Sequence, residues 1–215
     1  MSLDTCLLDQ PIIRYRRRSD RAVVRAALPA LLAALQADEV DDFIALRPHQ
    51  RHPWHAFLAQ LAAIALHRAC RPLAQATADT WRADLLALTP DHPGLEPWCL
   101  VSAPGQPALL QAAEPSGDVS GWKNQLHSPD KLDMLVTSKN HDLKGTRMRR
   151  VEPDDWLFAL LSLQTQEGSM GSGNYGISRM NKGYGSRPAF GAVPPGGWGR
   201  RWARDVAALL QARAG

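Results

Sequence analysis

The chain has 215 residues, of which 45% are hydrophobic and 21% charged, a globular balance that excludes wholesale disorder. Its net charge of +4 is too small to name a partner, and no run approaches the ~18 apolar residues of a membrane span. Cys6, Cys70 and Cys99, three at unrelated spacings, suit neither a disulfide framework nor a zinc site and read as reduced thiols of a cytoplasmic protein.

The first six residues have no basic stretch leading into an apolar one, so no secretory signal is expected. Residues 7–18 read as an extended segment, with Pro11 favouring an extended neighbour and the β-formers Ile12, Ile13 and Tyr15 following. Ser19-Asp20 can cap a first helix over Arg21–Ala37, which Pro29 either interrupts or restarts at its own N1 position. Asp41-Asp42-Phe43 leads into a predicted turn, Arg47 to Pro53. Trp54–Ala69 carries the clearest 3.6-residue period, through Phe57, Leu58, Leu61, Ile64 and Ala65. Ala74–Leu88 is a further amphipathic helix with Trp81, Leu85 and Leu88 on one stripe. Leu95–Ala113 is proline-broken, with Pro97 to Val101 a candidate short strand, and Glu114–Ser128 is a loop. Leu132–Thr137 reads as a strand and Leu143–Arg150 as a loop. Pro153–Thr165 reads as a buried helix with Pro153, Asp154 and Asp155 suited to its first turn. Trp198–Ala214 is a closing helix.

Most enzyme and cofactor signatures are missing. There is no Gly-x-Ser-x-Gly elbow and no phosphate-binding Gly-x4-Gly-Lys loop. Gly171 to Gly176 matches Gly-x-Gly-x-x-Gly, but a helix precedes it instead of a strand, so neither a dinucleotide nor any other cofactor is expected. His49, His52 and His55 recur every third residue, yet Pro53 falls among them and no Cys or acid stands at ligand spacing. They read as polar turn and helix-start residues, and no metal is expected. In Lys139-Asn140-His141-Asp142, His141 and Asp142 could serve a divalent-metal nuclease, an alternative function for the chain. Adjacent side chains rarely converge on one ion, and a turn in which Asn140 and Asp142 bond local backbone is the plainer reading.

From Gly168 to Arg204 the chain has six cations (Arg179, Lys182, Arg187, Arg200, Arg201, Arg204), ten of its sixteen glycines and no acid. Bare backbone can approach phosphates closely while cations offset their charge, so a polyanion suits this ribbon; the alternative is a solvated loop. Its amides (Asn174, Asn181) suit base edges, and a ribbon this thin can enter a minor groove too narrow for a helix. A second basic patch, Lys139 to Arg150, sets five cations against Asp142 alone.

These residues resemble the large subunit of the type I-E CRISPR surveillance complex Cascade, the CasA family. The resemblance runs almost end to end and in order: Leu7-Leu-Asp-Gln-Pro-Ile-Ile, the helix Phe57 to Ala69, Asn140-His141-Asp142, the helix Trp156 to Gln164, the glycine ribbon and the helix Trp198–Leu210. It implies a non-enzymatic subunit that recognises the protospacer-adjacent motif in double-stranded target DNA, starts R-loop formation and helps recruit a helicase–nuclease. The CRISPR RNA and the other Cascade subunits are the further partners it implies, and no membrane. Carried over by position, Gly171, Ser172, Gly173, Asn174, Tyr175 and Gly176 form the motif-reading loop, with Arg179, Asn181, Lys182 and Arg187 on phosphates or edges nearby. Lys139 and Asn140 lie beside a loop that meets the guide RNA or a neighbouring subunit. The family's wedge, its groove-entering lysine and its C-terminal four-helix bundle belong to a later part that this shorter chain is expected to lack.

The expected fold is therefore α+β: one helix-rich mixed domain over 1–215, mainly helical to 113, with a strand, a helix and the glycine-rich loop after it. Its small sheet is expected to combine the N-terminal segment with strands near Val101 and Leu135, without a C-terminal four-helix bundle.

Overall fold

The computed structural model describes residues 5–123, 126–132, 148, 150–165 and 193–214. The fold is α+β, with a three-stranded antiparallel sheet and several helices. The chain divides into two compact units interleaved in sequence: Met1–Thr5, Leu46–Trp54 and Glu96–Phe190 make the first, and Cys6–Ala45, His55–Leu95 and Gly191–Gly215 the second.

The second unit contains the sheet. Strand β1 (Ile13–Arg17) lies between β2 (Val23–Ala26) and β3 (Val40–Asp42), pairing antiparallel with both. Ile13 and Tyr15 point inward and are buried, while Arg14 and Arg16 take the other face, as a two-residue period requires. The helix expected over Arg21–Ala37 is thus corrected to a strand followed by a shorter helix, α1 (Leu28–Gln36). Asp20 does not cap a helix. Its carboxylate accepts the Ala22 N–H at 3.1 Å and the Arg17 guanidinium at 3.0 Å, closing the turn between β1 and β2. The same bonds, Arg17 first and the Ala22 N–H second, hold the Asp20 carboxyl down to about 2. Val23 and Val24, β-branched, continue as strand, and Ala27 remains extended at ψ 159° before Pro29 enters the first helical turn.

Helix α1 ends in a left-handed residue, Asp38 (φ 54°), and the Glu39 N–H returns to the Ala34 carbonyl at 2.9 Å. Helix α2 (Arg51–Arg68) starts inside the segment expected to be a turn. A 3-10 turn at Pro48–Gln50 runs straight into it, and Pro53 falls in its first turn, where a missing N–H costs nothing. Helix α3 (Ala78–Leu86) begins three residues after a second 3-10 turn, capped reciprocally by Thr77 and Thr80. Leu31, Leu32, Leu35, Phe43, Leu58, Trp81 and Leu85 form the core of this unit.

In the first unit, α4 (Pro129–Leu132) is one short turn of helix and α5 (Pro153–Thr165) has the bounds the sequence predicted. Trp54 meets Phe158 of α5 edge to face, with ring centroids 5.0 Å apart. The strand expected near Val101 does not form: Pro97 sits in a 3-10 turn (Glu96–Trp98), Trp98 alone is buried, and Val101 is 47% exposed. Leu132, expected to open a strand, ends α4 instead, and Leu135 lies outside the described residues. Among the described residues the sheet lies within the first 42, where β1 finds partners on both sides at short range.

Helix α6 (Trp198–Ala214) lies in the second unit and also matches its predicted bounds. Trp198, Trp202 and Val206, four residues apart, form its buried stripe. Among the described residues no helix is long and apolar enough to cross a membrane.

Candidate nucleic-acid interface

The predicted reading loop, Gly171, Ser172, Gly173, Asn174, Tyr175 and Gly176, lies outside the described residues, as do Arg179, Asn181, Lys182 and Arg187. So do Lys139, Asn140, His141 and Asp142. The structure does describe the bases on which both segments stand.

The segment carrying Lys139 to Asp142 is gripped at its base by one carboxylate. Asp130, in the first turn of α4 and 1% exposed, takes the Arg47 guanidinium on Oδ1 and the Met148 N–H on Oδ2 at 3.1 Å. Residue 130 thereby ties the chain entering the segment to the chain leaving it. A buried carboxylate is tolerated only when charge and hydrogen bonds compensate it, and Arg47 with the Met148 amide supplies both. Nothing in sequence signals this pair, whose members are 83 positions apart.

Before the glycine ribbon, α5 ends in buried structure. Leu163 is 3% exposed, and Gln164, buried, donates its Nε2 to the Leu110 carbonyl at 2.9 Å. At the other end of the helix Asp155 caps its own first turn by accepting the Glu152 N–H at 2.8 Å. After the ribbon, Gly196 adopts φ 125°, a backbone conformation that a side chain would strain, and α6 begins two residues later.

The start of α6 is fixed from three sides within its unit. The Trp198 indole donates to the Asp42 carboxylate at 3.2 Å and meets the Phe43 ring edge to face at 4.9 Å. The Trp202 indole donates to the Leu58 carbonyl at 3.1 Å and lies against Trp81. Gly199 approaches the end of α1 so closely that a Cβ would press on the backbone of Leu35 and Asp38. The Gly-Gly-Trp-Gly run is the sequence signal for that approach.

Three of the six cations of the acid-free stretch are engaged here. Arg200 reaches Asp38 at 3.3 Å, a carboxylate it shares with Arg18 at 2.9 Å. Arg201 lies over the Trp198 ring at 5.5 Å, and Arg204 pairs with Asp205 at 2.8 Å. The stretch has no acid in sequence, but the fold brings Asp38 to it from the end of α1, and Asp205 follows it by one residue. The positive charge of the C-terminal stem is thus partly neutralised.

The histidines do not converge. His55 pairs with Asp205 at 2.7 Å, and among the described residues no group of His, Cys, Asp and Glu is arranged to hold a metal ion. Asp205 is held below the usual carboxylate range: burial raises it, and the hydrogen bonds from His55 and Arg204 together outweigh that. Cys6, Cys70 and Cys99 form no disulfide. Compared with family models, with curated proteins and with solved structures, the chain matches none.

Proposed function

We propose that this chain is the motif-reading, non-catalytic subunit of a CRISPR RNA-guided surveillance complex, resembling the CasA family. It recognises a short flanking motif in double-stranded target DNA, and the glycine ribbon reads that motif from the minor groove. The observation that carries the reading is the order of parts in the chain. Asn140-His141-Asp142 precedes a helix with Gln164 in its last turn, an acid-poor glycine ribbon follows, and the helix at Trp198 closes the series.

The anchoring of the two helices supports this reading. A loop that reads base edges works only when its stems are fixed, because positional error at the stem becomes error at the base. Each helix is anchored within its own unit, α5 by its buried end and α6 by the Trp198–Trp202 stripe. In this proposal Asn174 faces base edges, Gly171, Gly173 and Gly176 keep the backbone close to the groove floor, and Lys182 and Arg187 hold phosphates. The guide RNA meets the segment around Lys139 and Asn140, other subunits of the complex hold the guide, and a helicase–nuclease is recruited after recognition.

The test is duplex binding by the chain across a panel of flanking motifs at several salt concentrations. Asn174→Ala should flatten the preference among motifs and leave the salt slope unchanged. Lys182→Ala should weaken every duplex alike and reduce the slope by about 0.9. Equal losses on all duplexes for both variants would sink the assignment of a reading loop.

A further inference from the structure

We infer that the turn from Asp118 to Lys123 is a contact surface for a second copy of this chain, docked on its own mate about a two-fold axis. The inference goes beyond duplex recognition and uses no residue of the reading loop.

The chain has seven tryptophans. Trp54, Trp81, Trp98, Trp198 and Trp202 are buried and Trp156 is half-buried, whereas Trp122 is 62% exposed. An indole left in water forgoes a large burial term, and exposed apolar groups that gather in one place mark contact sites. Val119, 39% exposed, lies on the same turn, where the Trp122 N–H returns to the Val119 carbonyl at 3.0 Å. The turn has its own internal bonding. Asp118 accepts the Ser120 N–H at 2.8 Å on Oδ1 and the Ser120 hydroxyl at 2.9 Å on Oδ2. Just before it, the Glu114 N–H donates to the Pro104 carbonyl at 2.7 Å. Residues 115–123 are all exposed, and a Cβ added at Gly121 would meet nothing.

Charge decides the occupant. From Ala83 to Trp122 the chain has five acids and no Lys or Arg, so phosphate backbone and anionic lipid suit this face poorly. Within the turn itself the pattern is self-complementary: Asp118 precedes the apolar pair Val119 and Trp122, and Lys123 follows it. A two-fold contact presents one patch on both sides, so that residue i of one copy meets j of the other and j meets i. Turned about such an axis, the Lys123 of each copy faces the other's Asp118, and each Trp122 covers the other's Val119. Both charges and both apolar groups are then answered at once, whereas a basic protein surface would attract Asp118 and repel Lys123. The patch is small beside the ~1,200–2,000 Å² of a standard interface, so association is weak and concentration-dependent.

The experiment is sedimentation velocity of the full chain from micromolar to millimolar concentration, with tryptophan emission recorded on the same samples. The inference expects the parent to pass from monomer to dimer across that range, its emission shifting to the blue as Trp122 leaves water. Trp122→Ala should weaken association by about tenfold or more and lose the shift. Lys123→Glu, which sets an acid against Asp118, should weaken it less, as exposed ion pairs do. An equimolar mixture of Lys123→Glu and Asp118→Lys chains should associate more tightly than either alone, because the mixed pair restores both charge contacts. All three positions are exposed, and a thermal melt checks folding. A parent that stays monomeric throughout overturns the inference, as does a Trp122→Ala chain that associates like the parent. A mixture no tighter than its components overturns the two-fold arrangement. A blue shift when duplex DNA or anionic vesicles are added to a monomeric parent gives Trp122 to another ligand and overturns the assignment. Trp122→Ala should keep the parent's preference among flanking motifs, so this surface and the reading loop stand or fall separately.

Discussion

Helices α5 and α6 flank the same glycine ribbon and are held in different ways. In α5, ten of thirteen residues are buried, including Asp154, Asp155, Ser162 and Gln164, so every side of the helix faces protein. Helix α6 is longer, with 17 residues, and commits only Trp198, Trp202 and Val206 to the core, together with Gly199, while arginines line its other faces. The first is fixed by many moderate contacts and the second by a few large ones. Burial of a Leu contributes about 1.5–3 kcal/mol, so α5 spreads its stabilisation across Leu157, Leu160, Leu161 and Leu163. Helix α6 concentrates it in two indoles, each of which also makes a hydrogen bond.

Truncation tests that contrast directly. Trp202→Ala should cost about 3–5 kcal/mol, since it opens a large cavity beside Trp81 and leaves the Leu58 carbonyl without its indole donor. Leu161→Ala in α5 should cost about 2–5 kcal/mol, and Leu160 and Leu163 can close part of the gap. Denaturant unfolding of the two variants checks the order. A larger loss from Leu161→Ala than from Trp202→Ala would break the comparison.

A smaller effect sharpens it. Replacing a helical Gly by Ala ordinarily gains up to about 1 kcal/mol. At Gly199 the new Cβ would lie 2.8 Å from the Asp38 Cα and closer still to the Leu35 carbonyl oxygen, and neither is a movable side-chain end. Overpacking of that kind costs about 1–3 kcal/mol, so the clash wins and Gly199→Ala destabilises. Gly197→Ala meets only the Arg18 guanidinium, which can swing aside at the expense of its bond to Asp38, and its loss should be less. A stabilised Gly199→Ala in a thermal melt would show that α6 does not depend on close approach to α1.

The bounds of α5 and α6 are legible in the sequence because local chemistry marks them. Pro153 and two acids suit one helix start, and a Trp-x3-Trp-x3-Val stripe marks the other. The sheet escapes a sequence reading for the opposite reason. Arg21 to Ala26 has helix-compatible residues, and only pairing with β1 makes a strand of it. That pairing depends on the left-handed Arg21 (φ 64°) and on the turn closed by Asp20, neither of which periodicity reports. The bases of the candidate site are illegible for a third reason. Asp130–Arg47, Asp38–Arg200 and Trp202–Leu58 join residues far apart in sequence, and single acids or carbonyls carry no sequence signature of the partner they will meet. Sequence overstates the positive charge of the ribbon's C-terminal stem on the same account, since acids tallied along the chain do not register Asp38.

The pair that ties α6 to α2 gives the smallest effect and a defined pH dependence. His55 on α2 and Arg204 on α6 both hold the Asp205 carboxylate, and its folded-state pKa lies below the ordinary value of 3.8. A depressed carboxyl contributes stability that is fully present above the unfolded pKa and is lost as pH falls through the folded one. Asp205 is 38% exposed, so solvent screens the pair and its net contribution is below about 1 kcal/mol. Asp205→Asn should therefore lower the denaturant midpoint slightly at neutral pH. The difference from the parent should narrow below pH 3.8 and disappear once the parent carboxyl is protonated. A gap that stays constant through that acid range would mean that the Asn side chain disturbs packing between α2 and α6. The charge pair would then contribute nothing measurable, and the few large contacts of α6 would have to hold it unaided.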